Sequence, residues 1–180
     1  VPLLVVADGV GGRQAGEVAS NLAVESLATA SERIRSQAAR VARDRSTQSR
    51  LGLGALMENA LESANNRISD EAMRRGKPGM ATTAVAAVVA GDHAYIAHVG
   101  DSRAYLFRDG ALRRLTDDHN LATLWYRQGR GELADLQMLP DAGYLYQALG
   151  ASGHLEVDTA EVALADRDVL LICSDGLYGP

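Results

Sequence analysis

Three apolar runs in this chain each stop on an aspartate set beside glycine or serine. Residues 1–7 lead into Asp8-Gly9-Val10-Gly11-Gly12, residues 95–99 into Gly100-Asp101-Ser102-Arg103, and residues 169–173 into Ser174-Asp175-Gly176-Leu177. Each reads as a buried strand that ends in a tight corner. A carboxylate at the end of a buried strand is held rigidly, and glycine beside it lets backbone groups approach a ligand without interference from a Cβ. One such corner is ordinary turn chemistry. Three of them on adjacent strand ends would place Asp8, Asp101 and Asp175 in an acidic cluster, which needs protons or cations to be tolerable. The sequence offers no grouping of Cys or His for soft coordination, so oxygen ligands point to Mg²⁺ or Mn²⁺.

The rest of the chain has to build a scaffold for those corners. At 180 residues with 47% hydrophobic content it is long enough for one domain with a full core. A net charge of −5 argues against general nucleic-acid binding. The single cysteine, Cys173, sits inside an apolar run and reads as a small buried hydrophobe rather than a nucleophile. No stretch has the length or composition of a membrane span or signal peptide, and the expected location is cytoplasmic. The chain opens in a strand without Met and stops just beyond the third corner, so the expectation is a domain incomplete at both termini.

Helical periodicity covers residues 16–27, and residues 53–75 carry a firmer helical face that ends at Gly76. Between them the arginine-rich stretch 31–50 is expected to be a solvated connection. Residues 82–89 read as a strand covered on both faces, and Gly91-Asp92 turns the chain into residues 93–99. Residues 102–108 and 111–115, joined at Asp109-Gly110, would extend a meander. His98 is expected to be a hydrogen-bonded structural residue. Asp118 or Asn120 would cap a helix starting at Leu121, within a flap-like insert over about 117–143 that has too few apolar residues for a core of its own. Two last strands, over 155–164 and 168–173, are expected to be covered on both faces. Helices in one block followed by consecutive strands predict an α+β fold with two packed, mainly antiparallel sheets and helices outside.

Taken together, Asp8-Gly9-Val10-Gly11-Gly12, Gly79-Met80-Ala81-Thr82-Thr83, Val99-Gly100-Asp101-Ser102-Arg103, Asp118-His119 and Ser174-Asp175-Gly176-Leu177 resemble the metal-dependent serine/threonine protein phosphatases of the PPM family (type two C), bacterial type, over the whole chain. The resemblance implies an α-β-β-α sandwich with a two-metal centre at one end of its sheets. It implies that Asp8 is shared by both ions, that Gly9 offers its backbone carbonyl, that Asp175 ligates the other ion, and that Asp101 helps hold a third, weaker one. Asp8 and Asp175 are then the catalytic carboxylates, with Mn²⁺ or Mg²⁺ as cofactor. Thr82 and Ser102 would tune the site, and Arg103 would pair with structural carboxylates.

The implied reaction is direct hydrolysis of phosphoserine or phosphothreonine in a protein, without a phosphoenzyme, in signalling opposite a serine/threonine kinase or its targets. Val10 stands where many eukaryotic members have a His, and Tyr146-Gln147 replaces the usual Thr-Arg. The family's first strand, with its phosphate-binding Arg, and its last Asp-Asn ligand would lie outside this sequence. An inactive regulatory module is the alternative. Retention of Asp8, Asp101 and Asp175 favours the enzyme, because a binding module need not keep an uncompensated acidic cluster.

Overall fold

The computed structural model describes residues 1–10, 13–151 and 154–179. Gly11 and Gly12, the end of the first loop, lie outside the described residues. Strand β1 (Leu3–Val6) enters the loop, where β2 (Gly9–Val10) forms a short ladder with β3 (Ala81–Thr82). Two long helices follow, α1 (Arg13–Asp44) and α2 (Thr47–Arg75). Stretch 31–50 is therefore not a solvated connection. Ile34, Ala38 and Val41 continue the buried face begun by Ala19, Ala23 and Leu27, while Arg33, Arg35, Arg40 and Arg43 point to solvent. Alanines at helical spacing let two helices approach closely, and they carry a core stripe that a count of large apolar residues misses.

The break between the helices is short and hydrogen-bonded. Arg45 takes a left-handed conformation (φ 50°). Ser46 caps α2 by accepting from the Ser49 amide at 3.2 Å, and Asp44 accepts from the Ser46 amide at 3.0 Å and the Ser49 hydroxyl at 2.7 Å. Across the pair, Gln37 donates to the Ser49 carbonyl at 2.8 Å and Arg67 to the Ser26 hydroxyl at 2.9 Å, so α1 and α2 run antiparallel.

Their shared face covers the first sheet, ordered β1-β4-β5-β8, with β4 at Ala84–Ala90, β5 at His93–Val99 and β8 at Asp158–Ala163. Ala84, Ala86 and Val88 of β4 pack on the helices, and Val85 and Ala87 pack the other way. They meet Ala104, Leu170 and Ile172 of a second sheet, ordered β7-β6-β9, with β6 at Arg103–Arg108, β7 at Ala111–Arg114 and β9 at Val169–Cys173. The class is the expected α+β, with two antiparallel sheets face to face and helices on the outside of the first.

Two expectations about the strands change. The run from β5 to β6 is not a meander, because the chain leaves one sheet at Val99 and enters the other at Arg103. Gly100 makes that step possible: it has φ +97°, and a Cβ there would lie 2.7 Å from Thr83 Cγ2. Strands β8 and β9 are not covered on both faces, since their residues alternate between partly buried and exposed. Each is an outer strand of its sheet, and on the outer face of the second sheet Val169, Phe107 and Leu112 are exposed, in register across β9, β6 and β7.

Residues 117–143 carry α3 (Leu121–Arg127) and α4 (Leu133–Leu136). Asn120, not Asp118, caps α3 by accepting from the Thr123 amide at 3.0 Å. Contrary to expectation this segment has a small core, with Ala122, Leu136 and Ala142 buried against Trp125 and Leu133. A last single turn, α5 (Asp175–Tyr178), carries the third aspartate. Among the described residues no helix is long and apolar enough to cross a membrane.

Candidate metal centre

The three aspartates are linked in pairs, Asp101 feeling the charge of Asp175 and Asp175 that of Asp8, and among the described residues they are not a group whose ligand atoms all lie within 4.8 Å of one another. Asp8 is pinned by its backbone: its N–H donates to Thr83 Oγ1 at 3.1 Å, and its carbonyl accepts from the Thr83 amide and the Thr82 hydroxyl, both at 2.8 Å. Thr83 Oγ1 also pairs with Ser102 Oγ at 2.6 Å, which ties the first loop to the crossing between the sheets. Gly9 packs on the start of α1 so closely that a Cβ would meet the Gly16 carbonyl oxygen at 2.2 Å. No side chain larger than hydrogen fits there, and the loop backbone is set against the helix.

Asp175 starts α5, and its carboxyl feels that of Asp8. Although the residue lies at the surface, partial desolvation and then Asp8 push its pKa up. Asp101 is half-buried, and burial, followed by the charges of Asp175 and Asp118, pushes its carboxyl up to about 6. The Asp101 carbonyl accepts from the Tyr178 hydroxyl at 2.6 Å, which holds α5 to the crossing. Burial and the nearby Asp101 charge push the Tyr178 phenol up as well.

Among the described residues none of these carboxylates forms a salt bridge, and Arg103 offsets the Asp101 shift only in part. Arg103 is taken up by Asp118, to which it donates through Nε at 2.8 Å and Nη2 at 2.6 Å; it also stacks on the Tyr178 ring at 3.5 Å. Its expected role as partner to a structural carboxylate is the one observed. Carboxylates that raise one another's pKa are stabilised by protons or cations, and oxygen donors of this kind suit a divalent cation.

A second cluster was not visible in the sequence. His98, His119 and Asp158 offer ligand atoms within 4.8 Å of one another, although the sequence shows no His grouping. Their hydrogen bonds account for the arrangement. His98 donates from Nε2 to the Asp117 carbonyl at 2.8 Å, as expected for a structural histidine. Nδ1 of His119 accepts from the Gly100 amide at 3.2 Å, which leaves its proton on Nε2, 3.2 Å from Asp158 Oδ2. That nitrogen has no lone pair for a cation. Antiparallel pairing of β5 with β8 sets His98 opposite Asp158, a long-range pairing that no local signal announces. The contacts of Thr83 and Tyr178 escaped sequence reasoning for the same reason.

Comparison with known proteins matches the family model described as Protein phosphatase 2C to residues 1–179. The serine/threonine phosphatase stp of Listeria welshimeri is 38% identical over 176 residues, covering 98% of this chain and 66% of the relative. The serine/threonine protein phosphatase PstP of Mycobacterium tuberculosis is 33% identical over 183 residues, which cover 99% of this chain and 32% of the relative. The crystal structure of the latter phosphatase superposes with a TM-score of 0.80 at 32% identity, over 99% of this chain and 70% of that one. A structure of the PstP catalytic domain in complex with two manganese ions gives a TM-score of 0.73 at 31% identity, over 97% of this chain and 67% of that one. The chain thus spans just under two thirds of the Listeria relative's length.

Proposed function

This chain belongs to the protein phosphatase 2C family, and from that premise we propose that it carries the metal centre of a protein serine/threonine phosphatase. One observation carries the reading: Asp175 feels the Asp8 carboxyl and Asp101 feels Asp175, and both pKa values are pushed up, while among the described residues none of the three carboxylates has a salt-bridge partner. Asp8 would hold two ions, Gly9 would contribute its carbonyl to one, Asp175 would hold the other, and Asp101 would take part in a third, weaker site. When bound, divalent cations supply an acidified water and screen the negative charge of a phosphate.

The chain's own contribution is rigidity and charge. Thr82 and Thr83 fix the Asp8 backbone, and Tyr178 fixes the Asp101 backbone, so the carboxylates are positioned before any ligand arrives. The reaction is hydrolysis of a phosphoserine or phosphothreonine monoester by direct attack of water. Cys173 is no rival nucleophile, being buried, with its thiol pushed up by desolvation.

Residues 1–180 belong to one phosphatase domain, in which the segment 117–143 acts as a flap beside the site and selects among phosphorylated protein substrates. Its partners in the cell are a serine/threonine kinase or that kinase's targets, in cytoplasmic bacterial signalling. The test is Mn²⁺-dependent hydrolysis of a phosphothreonine peptide. Activity abolished by chelator and by Asp8→Asn is expected. Hydrolysis indifferent to both would overturn the assignment.

A further inference from the structure

His119 is 1% exposed, and it grips one residue twice. Its backbone N–H donates to the Gly100 carbonyl at 3.0 Å, and its Nδ1 accepts from the Gly100 N–H at 3.2 Å. Both polar backbone groups of the glycine at which the chain changes sheets are therefore held by a single residue. Gly100 is also confined by Thr83, whose side chain occupies the space a Cβ would take. The residue that follows is Asp101. The ring of His119 is fixed in turn: Nε2 faces Asp158 Oδ2 at 3.2 Å, and the His98 and Tyr146 rings lie against it with centroids at 4.7 and 5.5 Å.

We propose that His119 is a positioning residue for Asp101. As a neutral imidazole with its proton on Nε2, an arrangement set by Asp158, it fixes the Gly100 peptide groups and so places the Asp101 carboxyl beside Asp175. The role of Asp101 in catalysis rests on the phosphatase reading; the grip on Gly100 does not. A neutral imidazole has one donor and one acceptor nitrogen, and an acceptor aimed at Gly100 requires the donor to point at Asp158. A ring of the other tautomer would set two N–H groups against each other.

The test reads the chain by NMR without metal or substrate. In the parent protein, ¹⁵N shifts of the His119 ring should show the neutral Nε2–H form. His119→Phe should speed exchange of the Gly100 amide about tenfold, the loss of one hydrogen bond, and should move the Asp101 carboxyl ¹³C signal. That of Asp168, paired with Arg108 at the other end of β6, should stay put. His119→Asn, whose side-chain oxygen takes the place of Nδ1, should restore Gly100 exchange to within about threefold of the parent. If His119→Phe does not fold, Asp158→Ala decides: with Nε2 left without its carboxylate the ring should hold Gly100 less firmly, and Gly100 exchange should quicken about threefold. A proton on Nδ1 in the parent, or Gly100 exchange and an Asp101 signal unmoved in the variants, would overturn the proposal. None of these readings depends on catalysis, so an inactive enzyme with the predicted shifts would refute the phosphatase reading alone.

Discussion

Two clusters of ionisable side chains flank the crossing at Gly100, and they are built on opposite terms. Around His98, His119 and Asp158 each ring is placed by named partners: His98 gives its proton to a carbonyl, and His119 accepts from one backbone amide and faces one carboxylate. At Asp8, Asp101 and Asp175 like charges face each other, and the pKa values of Asp101 and Asp175 are driven up. A satisfied cluster stabilises the protein that contains it. An unsatisfied one costs stability, and it is tolerated where a ligand supplies the missing charge. The contrast distinguishes scaffold from site within a few residues of chain.

The sharpest way to break the contrast is Asp8→Asn. Removing one carboxylate from the facing pair should lower kcat/KM for a phosphothreonine peptide at least about a hundredfold. The same change should raise the urea midpoint in the presence of chelator, because repulsion is relieved. A variant that is inactive and less stable would mean that Asp8 is a structural residue.

Next in size is Arg103→Ala, which leaves Asp118 buried without its partner. Breaking such a pair should cost about 3 kcal/mol by chemical denaturation. A loss under about 1 kcal/mol would show that Arg114, 3.5 Å from the same carboxylate, replaces it.

Asp101→Asn sharpens the comparison through pH. The Asp101 pKa is raised in the folded chain from 3.8 to about 6, so its ionisation disfavours folding. Below the lower value both states are protonated and no penalty exists; the penalty grows as pH rises through the window and is complete above the higher value. The asparagine variant should match the parent near pH 3.5 and exceed it in stability near pH 7, without metal. A constant difference across that range would remove Asp101 from the strained cluster. The smallest expected effect is Arg127→Ala. Its exposed contacts to Asp117 and Asp158, at 3.5 and 3.4 Å, should be worth less than about 1 kcal/mol.

Local signals announced much of this architecture. Asp109-Gly110 turns β6 into β7 with both residues at positive φ, as the dipeptide predicts, and α2 ends at Gly76. Segment 31–50 was misread because its buried face is Ile34, Ala38 and Val41 among arginines, a stripe that gains meaning only once α2 packs on it. The three aspartates were legible as strand ends, and in the fold Asp175 lies close enough to influence both Asp8 and Asp101. Thr83, His119, Asp158 and Tyr178 were not, since each acts on a residue at least 19 positions away. Strand pairing, not spacing, makes those contacts.

The central claim is that the unsatisfied corner is a cation centre, and calorimetric titration of Mn²⁺ into the parent protein and Asp8→Asn tests it most directly. Binding in the parent, weakened at least about tenfold in the variant, is the predicted result. Equal affinity in both proteins would place any cation elsewhere and contradict the account.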